Sequence, residues 1–122
     1  MVDNAGKDGS RMSEPETVVV ALLDRALAQG HEGRPVLPSD VRVRLDVSSV
    51  GCWEVSGHGC ARVPAGPTHP VDCVVRCDLA DLVDIASGRL DPRRAFLDGR
   101  LQMEGDIGLA LRLQAALRAP AA

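Results

Sequence analysis

Four cysteines, one histidine between two glycines and three evenly spaced aspartates are the side chains of this 122-residue chain whose types and spacing can carry chemistry. Cys52, Cys60, Cys73 and Cys77 are separated by eight, thirteen and four positions, none of which is the Cys-x-x-Cys pairing of common zinc sites. Cys73 and Cys77 share a face of an extended strand, so a metal or redox pair with Cys52 or Cys60 stays open. Buried thiols acting as small hydrophobes are the simpler expectation. His58, between Gly57 and Gly59, can act as a base if it faces a pocket, but strand parity sets it opposite Trp53 on the solvent side. Asp78, Asp81 and Asp84 can chelate a cation, yet a helix cap followed by a solvated helix face accounts for them without one. No Ser-His-Asp set, phosphate loop or complete Gly-x-Gly-x-x-Gly occurs. The expectation is a domain with no catalytic residues, no metal and no cofactor.

The elements that position these residues follow from periodicity and punctuation. Residues 1–14 are polar and read as a disordered tail, within which Met12 can serve as a start; residues 15–118 form one domain and 119–122 a short C-terminal tail. The first helix begins near Pro15, with Val19, Leu22, Leu23, Ala26 and Leu27 at helical spacing and Gly30 as its stop. His31 to Asp40 holds Gly33, Pro35 and Pro38 and reads as a loop. Val41, Val43, Leu45 and Val47 then alternate with Arg42, Arg44, Asp46 and Ser48, a strand with one face in water. Trp53, Val55, Gly57 and Gly59 share a face of a second strand, opposite Cys52, Glu54, Ser56, His58 and Cys60. Pro64 to Pro70 is a connection, and Asp72 to Cys77 is the next strand.

From Asp72 to Leu117 the order is strand, helix, helix, strand and apolar helix. Asp78 N-caps a helix in which Asp81 completes a capping-box-like pair and Gly88 is the left-handed stop. Asp91 and Pro92 open the next helix, Gly99 ends it, and Leu101 and Met103 alternate through a half-buried strand before Gly105 and the N-cap Asp106. The fold class that results is α+β, an antiparallel or mixed sheet of about five strands with helices on one face. In the last helix only Arg112 and Gln114 are strongly polar, so it needs cover on more than one side, from a hydrophobic ligand, a dimer partner or a membrane.

Composition narrows the partners. With 45% hydrophobic and 25% charged residues the chain is ordinary for a globular domain, and it has room for one core. Its net charge of -3, its single lysine (Lys7) and the absence of a basic stripe argue against nucleic acid. No stretch reaches the roughly 20 apolar residues of a membrane span, and the first residues lack the apolar core of a signal peptide. A cytoplasmic protein without stable membrane insertion is expected. The bias toward Arg, Ala, Val and Gly suggests a GC-rich bacterial gene.

The ordered set Asp78-Leu79, Gly88, Leu90-Asp91-Pro92, Ala95-Phe96, Gly99-Arg100-Leu101, Gly105-Asp106 and Leu109 to Gln114 resembles the C-terminal half of the sterol carrier protein 2 family. Trp53-Glu54-Val55 and the glycine-rich turn after it resemble that family's second strand, so the likeness runs roughly from Val41 to Leu117. The first helix departs from it, lacking the aromatic residue many relatives carry, and Pro64 to Pro70 has no recognisable match. The resemblance is to a standalone, bacterial-type member; family members that go to peroxisomes end in a serine-lysine-leucine type signal, and this chain ends Ala119-Pro120-Ala121-Ala122.

The resemblance implies an apolar tunnel enclosed by sheet and helices. By position its lining would be Trp53, Val55, Leu82, Val83, Phe96, Leu101, Met103, Ile107, Ala110, Leu111 and Leu113, although the same residues can simply pack on one another. Gln114 matches a glutamine often found in the family's final helix and is a candidate head-group partner, while an exposed, helix-forming glutamine is the favoured reading. The implied function is non-catalytic binding and intracellular transfer or presentation of a fatty acyl, acyl-CoA, phospholipid or sterol-like ligand. One alternative is an enzyme or accessory subunit holding a lipid, quinone or polyketide intermediate, on which a biosynthetic enzyme partner, His58 or Asp72 would act. The other is a structural homodimer.

Overall fold

The computed structural model describes residues 13–29, 36–38, 40–64 and 70–118. The expected stop at Gly30, most of both tails and parts of the two proline-containing loops lie outside the described residues.

Helix α1 (Glu14–Leu27) starts one residue before Pro15 because Ser13 and Glu16 form a capping box: the Ser13 hydroxyl accepts from the Glu16 N–H at 3.3 Å, and the Ser13 N–H donates to Glu16 Oε1 at 2.8 Å. Glu14 therefore belongs to the helix rather than to the tail. Val19, Leu23 and Ala26 form its buried stripe.

Five strands follow in the chain: β1 (Val43–Val47), β2 (Gly51–Ser56), β3 (Gly59–Val63), β4 (Cys73–Cys77) and β5 (Leu101–Gly105). They form one sheet in the order β3-β2-β1-β4-β5, with β1 and β4 parallel and every other pair antiparallel. The α+β architecture is as expected, with one correction. What reads as a single second strand from Trp53 to Cys60 is a hairpin that reverses at Gly57 and His58. Val55 pairs with Cys60 and Trp53 with Arg62, so Cys60 lies on the Trp53 face instead of opposite it. Continuous alternation hides this because a two-residue turn resets the parity of the returning strand.

The register aligns Trp53, Leu45 and Val75 in one row and Val55, Val43 and Cys73 in the next, all buried on the helix side. Met103 continues the first row on β5. The opposite face carries Asp46, Arg76 and Glu104, with Arg76 Nη1 at 2.7 Å from Glu104. That face is not wholly in water, since Arg44 is buried and donates to the Pro64 carbonyl at 2.8 Å.

Three more helices lie with α1 on the inner face: α2 (Leu79–Ser87), α3 (Pro92–Leu97) and α4 (Ile107–Leu117). Asp78 occupies the N-cap position of α2 but its side chain makes no capping bond, and Asp81 completes no capping box. Asp91 and Asp106 do cap, accepting from the N–H groups of Arg93 at 2.9 Å and Leu109 at 3.3 Å. Gly88 ends α2 at φ 86. Gly105 is needed for a second reason, because a Cβ there would sit 2.4 Å from the Asp72 carbonyl oxygen.

Candidate functional site

The apolar face of α4 packs between the other three helices and strands β4 and β5. Leu109, Ala110, Leu113, Gln114 and Leu117 are buried, Ile107, Leu111 and Ala116 are half-buried, and only the narrow stripe Gly108, Arg112, Ala115, Arg118 faces out. The cover that this greasy helix demands is thus largely protein.

Of the expected lining residues, Trp53, Val55, Leu82, Leu101, Met103, Ala110 and Leu113 join one continuous buried cluster, with Ile107 and Leu111 packed against it. The Trp53 ring is capped by the Arg62 guanidinium, 5.6 Å from its centroid, and Arg62 in turn pairs with Glu16. Val83 is half-buried and is not among the residues packed against this cluster. Phe96 departs from expectation: it is 41% exposed. The inward positions of α3 are Pro92 and Ala95, three residues apart, and the next residue round the helix turns toward solvent.

Gln114 reverses the favoured reading of an exposed glutamine. Its relative exposure is 0%, and among the described residues neither its Oε1 nor its Nε2 has a hydrogen-bond partner. The placement follows from spacing, since Gln114 lies four residues after Ala110 and three before Leu117, on the face that α4 buries. The polarity of the amide masked that signal. A buried, unpaired amide costs roughly 1–3 kcal/mol for each unmade bond.

Beside Gln114's helix, a groove of about 430 Å³ runs between α3 and α4, lined by Pro92, Leu111 and Ala115 and edged by Asp91, Arg93 and Arg118. Its size lies within the range of small-molecule pockets. Two further depressions of about 360 Å³ each are more polar surroundings. One flanks the β2–β3 turn and includes Arg42, Glu54 and the exposed His58. The other surrounds Asp81 and Arg100, where Arg100 Nε and Nη2 both reach Asp81 Oδ1, at 3.0 and 2.6 Å.

The chemistry-bearing residues are scattered. Asp81 is engaged by Arg100 and Asp84 by Arg89 at 3.2 Å, so the aspartates do not converge on one point. Asp72 accepts from the Arg42 N–H at 2.8 Å, joining the starts of β4 and β1. Among the described residues, no three His, Cys, Asp or Glu side chains could hold a metal ion. Burial pushes the Cys73 thiol up to about 11 and the Cys77 thiol up to about 12, assisted by Asp106 for the first and by Asp81 for the second. Cys60 is raised too, by burial and by Asp24, whose Oδ1 lies 3.8 Å from its sulfur. Thiols held protonated are poor nucleophiles. The hairpin also separates them, with Cys52 on the outer face and Cys60, Cys73 and Cys77 on the inner.

Comparison with known proteins agrees with this geometry. A family model described as the SCP-2 sterol transfer family matches residues 21–118. Hydroxysteroid dehydrogenase-like protein 2 of Xenopus tropicalis is 37% identical over 51 residues, which is 42% of this chain and 12% of that protein. The chain thus spans only a small part of the length of the curated relatives it matches. The sterol carrier protein domain 2 of Helicoverpa armigera superposes with a TM-score of 0.65 at 20% identity, covering 93% of this chain and 98% of that one. Sterol Carrier Protein-2 of Aedes aegypti, solved in complex with the C16 fatty acid palmitate, also gives 0.65, at 12% identity over 87% of this chain and 96% of that one. At these identities the structures establish a common fold.

Proposed function

This chain belongs to the SCP-2 sterol transfer family, and from that premise we propose that it binds a hydrophobic ligand against its final helix and carries or presents it without altering it. The ligand class is fatty acyl, acyl-CoA, phospholipid or sterol-like. The observation that carries the reading is Gln114, a wholly buried amide with both polar atoms unpaired among the described residues, on a helix otherwise lined by Leu and Ala. A folded chain that retains such a group accepts a stability cost that a ligand's carbonyl, carboxyl or hydroxyl would relieve. The groove beside Leu111 supplies the apolar surface, and the Aedes aegypti protein of the same fold takes palmitate. Each CH₂ buried contributes about 0.8 kcal/mol, so a long acyl chain gains on the order of 10 kcal/mol before ordering costs, consistent with micromolar binding.

The remaining expected lining, from Trp53 across to Met103, is the wall toward which the groove would deepen when an acyl chain enters. All four cysteines are free thiols, which suits a reducing compartment, and we place the protein's work in the cytoplasm. Native mass spectrometry of the purified chain, followed by extraction of whatever is bound, tests the reading. Copurified lipid, or uptake of added palmitate with one molecule per chain, is the expected result. A chain that remains ligand-free and takes up neither palmitate nor a sterol would overturn it.

A further inference from the structure

Trp53 is 1% exposed, although β2 is only one strand from the β3 margin of the sheet. Its cover there is polar. Arg62, its antiparallel neighbour on β3, lays its guanidinium over the indole ring and pairs with Glu16 of α1, while its Nη2 donates to the Val50 carbonyl at 3.3 Å. Gly51 leaves room for that placement, since a Cβ there would sit 2.9 Å from Nη2. Glu16 serves two ends at once, because its other carboxylate oxygen accepts the Ser13 N–H that opens the helix.

Helix α1 is not held evenly along its length. Its buried residues, Val19, Leu23 and Ala26, all lie beyond the first turn, and none of Glu14, Pro15, Glu16 and Thr17 is buried. What fastens the first turn to the sheet is therefore the pairing of Glu16 with Arg62. The guanidinium is half-exposed, so the pair is open to screening by salt and holds far less firmly than the apolar contacts further along. Segments with few buried apolar contacts open at low free energy while the rest of the fold stays closed. Lifting this turn uncovers Trp53 at the β3 margin, away from β5, where α3 packs and the α3–α4 groove lies.

We propose that the first turn of α1 is a gate, latched by Arg62, through which a hydrophobic ligand reaches the Trp53 side of the core. The gate opens and closes without a ligand, while its use as an entrance rests on the proposed carrier function. Trp53 is the single tryptophan of the chain, so its fluorescence reports the gate directly.

The test is quenching of that fluorescence by acrylamide, a neutral quencher, in the full chain stripped of lipid, at low and high sodium chloride. Quenching should rise with salt in the wild type. Glu16→Gln keeps a side chain able to complete the capping box but removes the charge that faces Arg62. It should be quenched about two- to fivefold faster, the factor that an exposed ion pair controls, and should lose the salt dependence. Arg62→Gln should behave alike, and in both variants faster amide exchange should be confined to the first turn of α1. Unchanged quenching in both, or a rise matched by faster exchange throughout β1, β2 and β4, would overturn the gate. Stopped-flow uptake of palmitate should quicken by the same factor in each variant. An unchanged uptake rate beside faster quenching would overturn the entrance. Absence of uptake by all three proteins would sink the carrier function and the entrance with it, while the quenching result still decides the gate.

Discussion

Arg25 of α1 donates from Nη2 to the carbonyl oxygen of Leu117, the last residue of α4, at 3.0 Å. The carbonyls of a helix's final turn have no partner within the helix and bear its negative end, so the guanidinium both satisfies an acceptor and complements the dipole. It ties the first helix to the last, across 92 positions of chain. Arg25→Ala is expected to cost about 1 kcal/mol in urea unfolding and to raise amide exchange in the last turn of α4. Unchanged exchange there would show that the contact anchors nothing.

Gln114→Leu should separate stability from binding. In the ligand-free protein it removes an unpaired buried amide and substitutes an apolar side chain of similar size, so the melting temperature should rise, corresponding to about 1–2 kcal/mol. Palmitate affinity should fall by about tenfold if one hydrogen bond to the ligand is lost. A variant that is less stable and binds normally would assign Gln114 to the structural core. Leu111→Trp, which fills the groove from its half-buried wall, should abolish uptake with a modest loss of stability.

Two glycines of similar backbone make a controlled pair. Gly99 and Gly105 have φ of 80 and 86, but a Cβ at Gly99 meets nothing within 4 Å, whereas at Gly105 it strikes the Asp72 backbone. Gly99→Ala should cost about 1 kcal/mol, the left-handed penalty alone. Gly105→Ala should cost at least about 2–3 kcal/mol, because the carbonyl it meets accepts the Asp106 N–H at 2.9 Å and cannot withdraw freely. Chemical denaturation of both variants checks the difference, and equal costs would mean that β4 and β5 yield at this point.

Alkaline destabilisation should be traceable to Cys73 and Cys77. Their pKa values are raised in the folded chain from an ordinary 9.0 to about 11 and about 12. Below pH 9 both states keep the protons and the thiols contribute nothing to pH dependence. Above it the unfolded chain releases them first, so stability falls as pH rises from about 9 toward 12. Denaturation midpoints across that range should decline for the wild type and decline less for Cys77→Ala. Thiol labelling of the folded protein at pH 8 should be slow at both positions.

Much of this fold was legible in local pattern. The alternation of Val43, Leu45 and Val47, the aspartates at 91 and 106 and the glycines at 88, 99 and 105 each state a local rule, and the structure obeys them. What escaped depends on partners distant in the chain. Asp81 looks like a capping residue until Arg100, nineteen positions away, is brought against it. Cys60 is assigned to the wrong face if the strand is read straight through Gly57, since only the pairing with Val55 reveals the reversal. The site divides in the same way. Apolar lining positions on α4 follow from helical spacing, but the burial of Gln114 required giving that spacing precedence over polarity, and the outward turn of Phe96 required knowing that α3 seats itself on Pro92 and Ala95.

Among the described residues the strand order also leaves two margins without a neighbouring strand, β3 and β5, each with a row of backbone donors and acceptors on its outer side. Such margins invite neighbouring chains to add strands and so seed aggregation. Here both are five residues long; Arg62 and the terminating Pro64 guard one, and Gln102 and Glu104 the other. A domain that exposes Phe96 and Leu97 needs such gatekeepers, for its stickiness is then confined to one helix while its sheet resists polymerising.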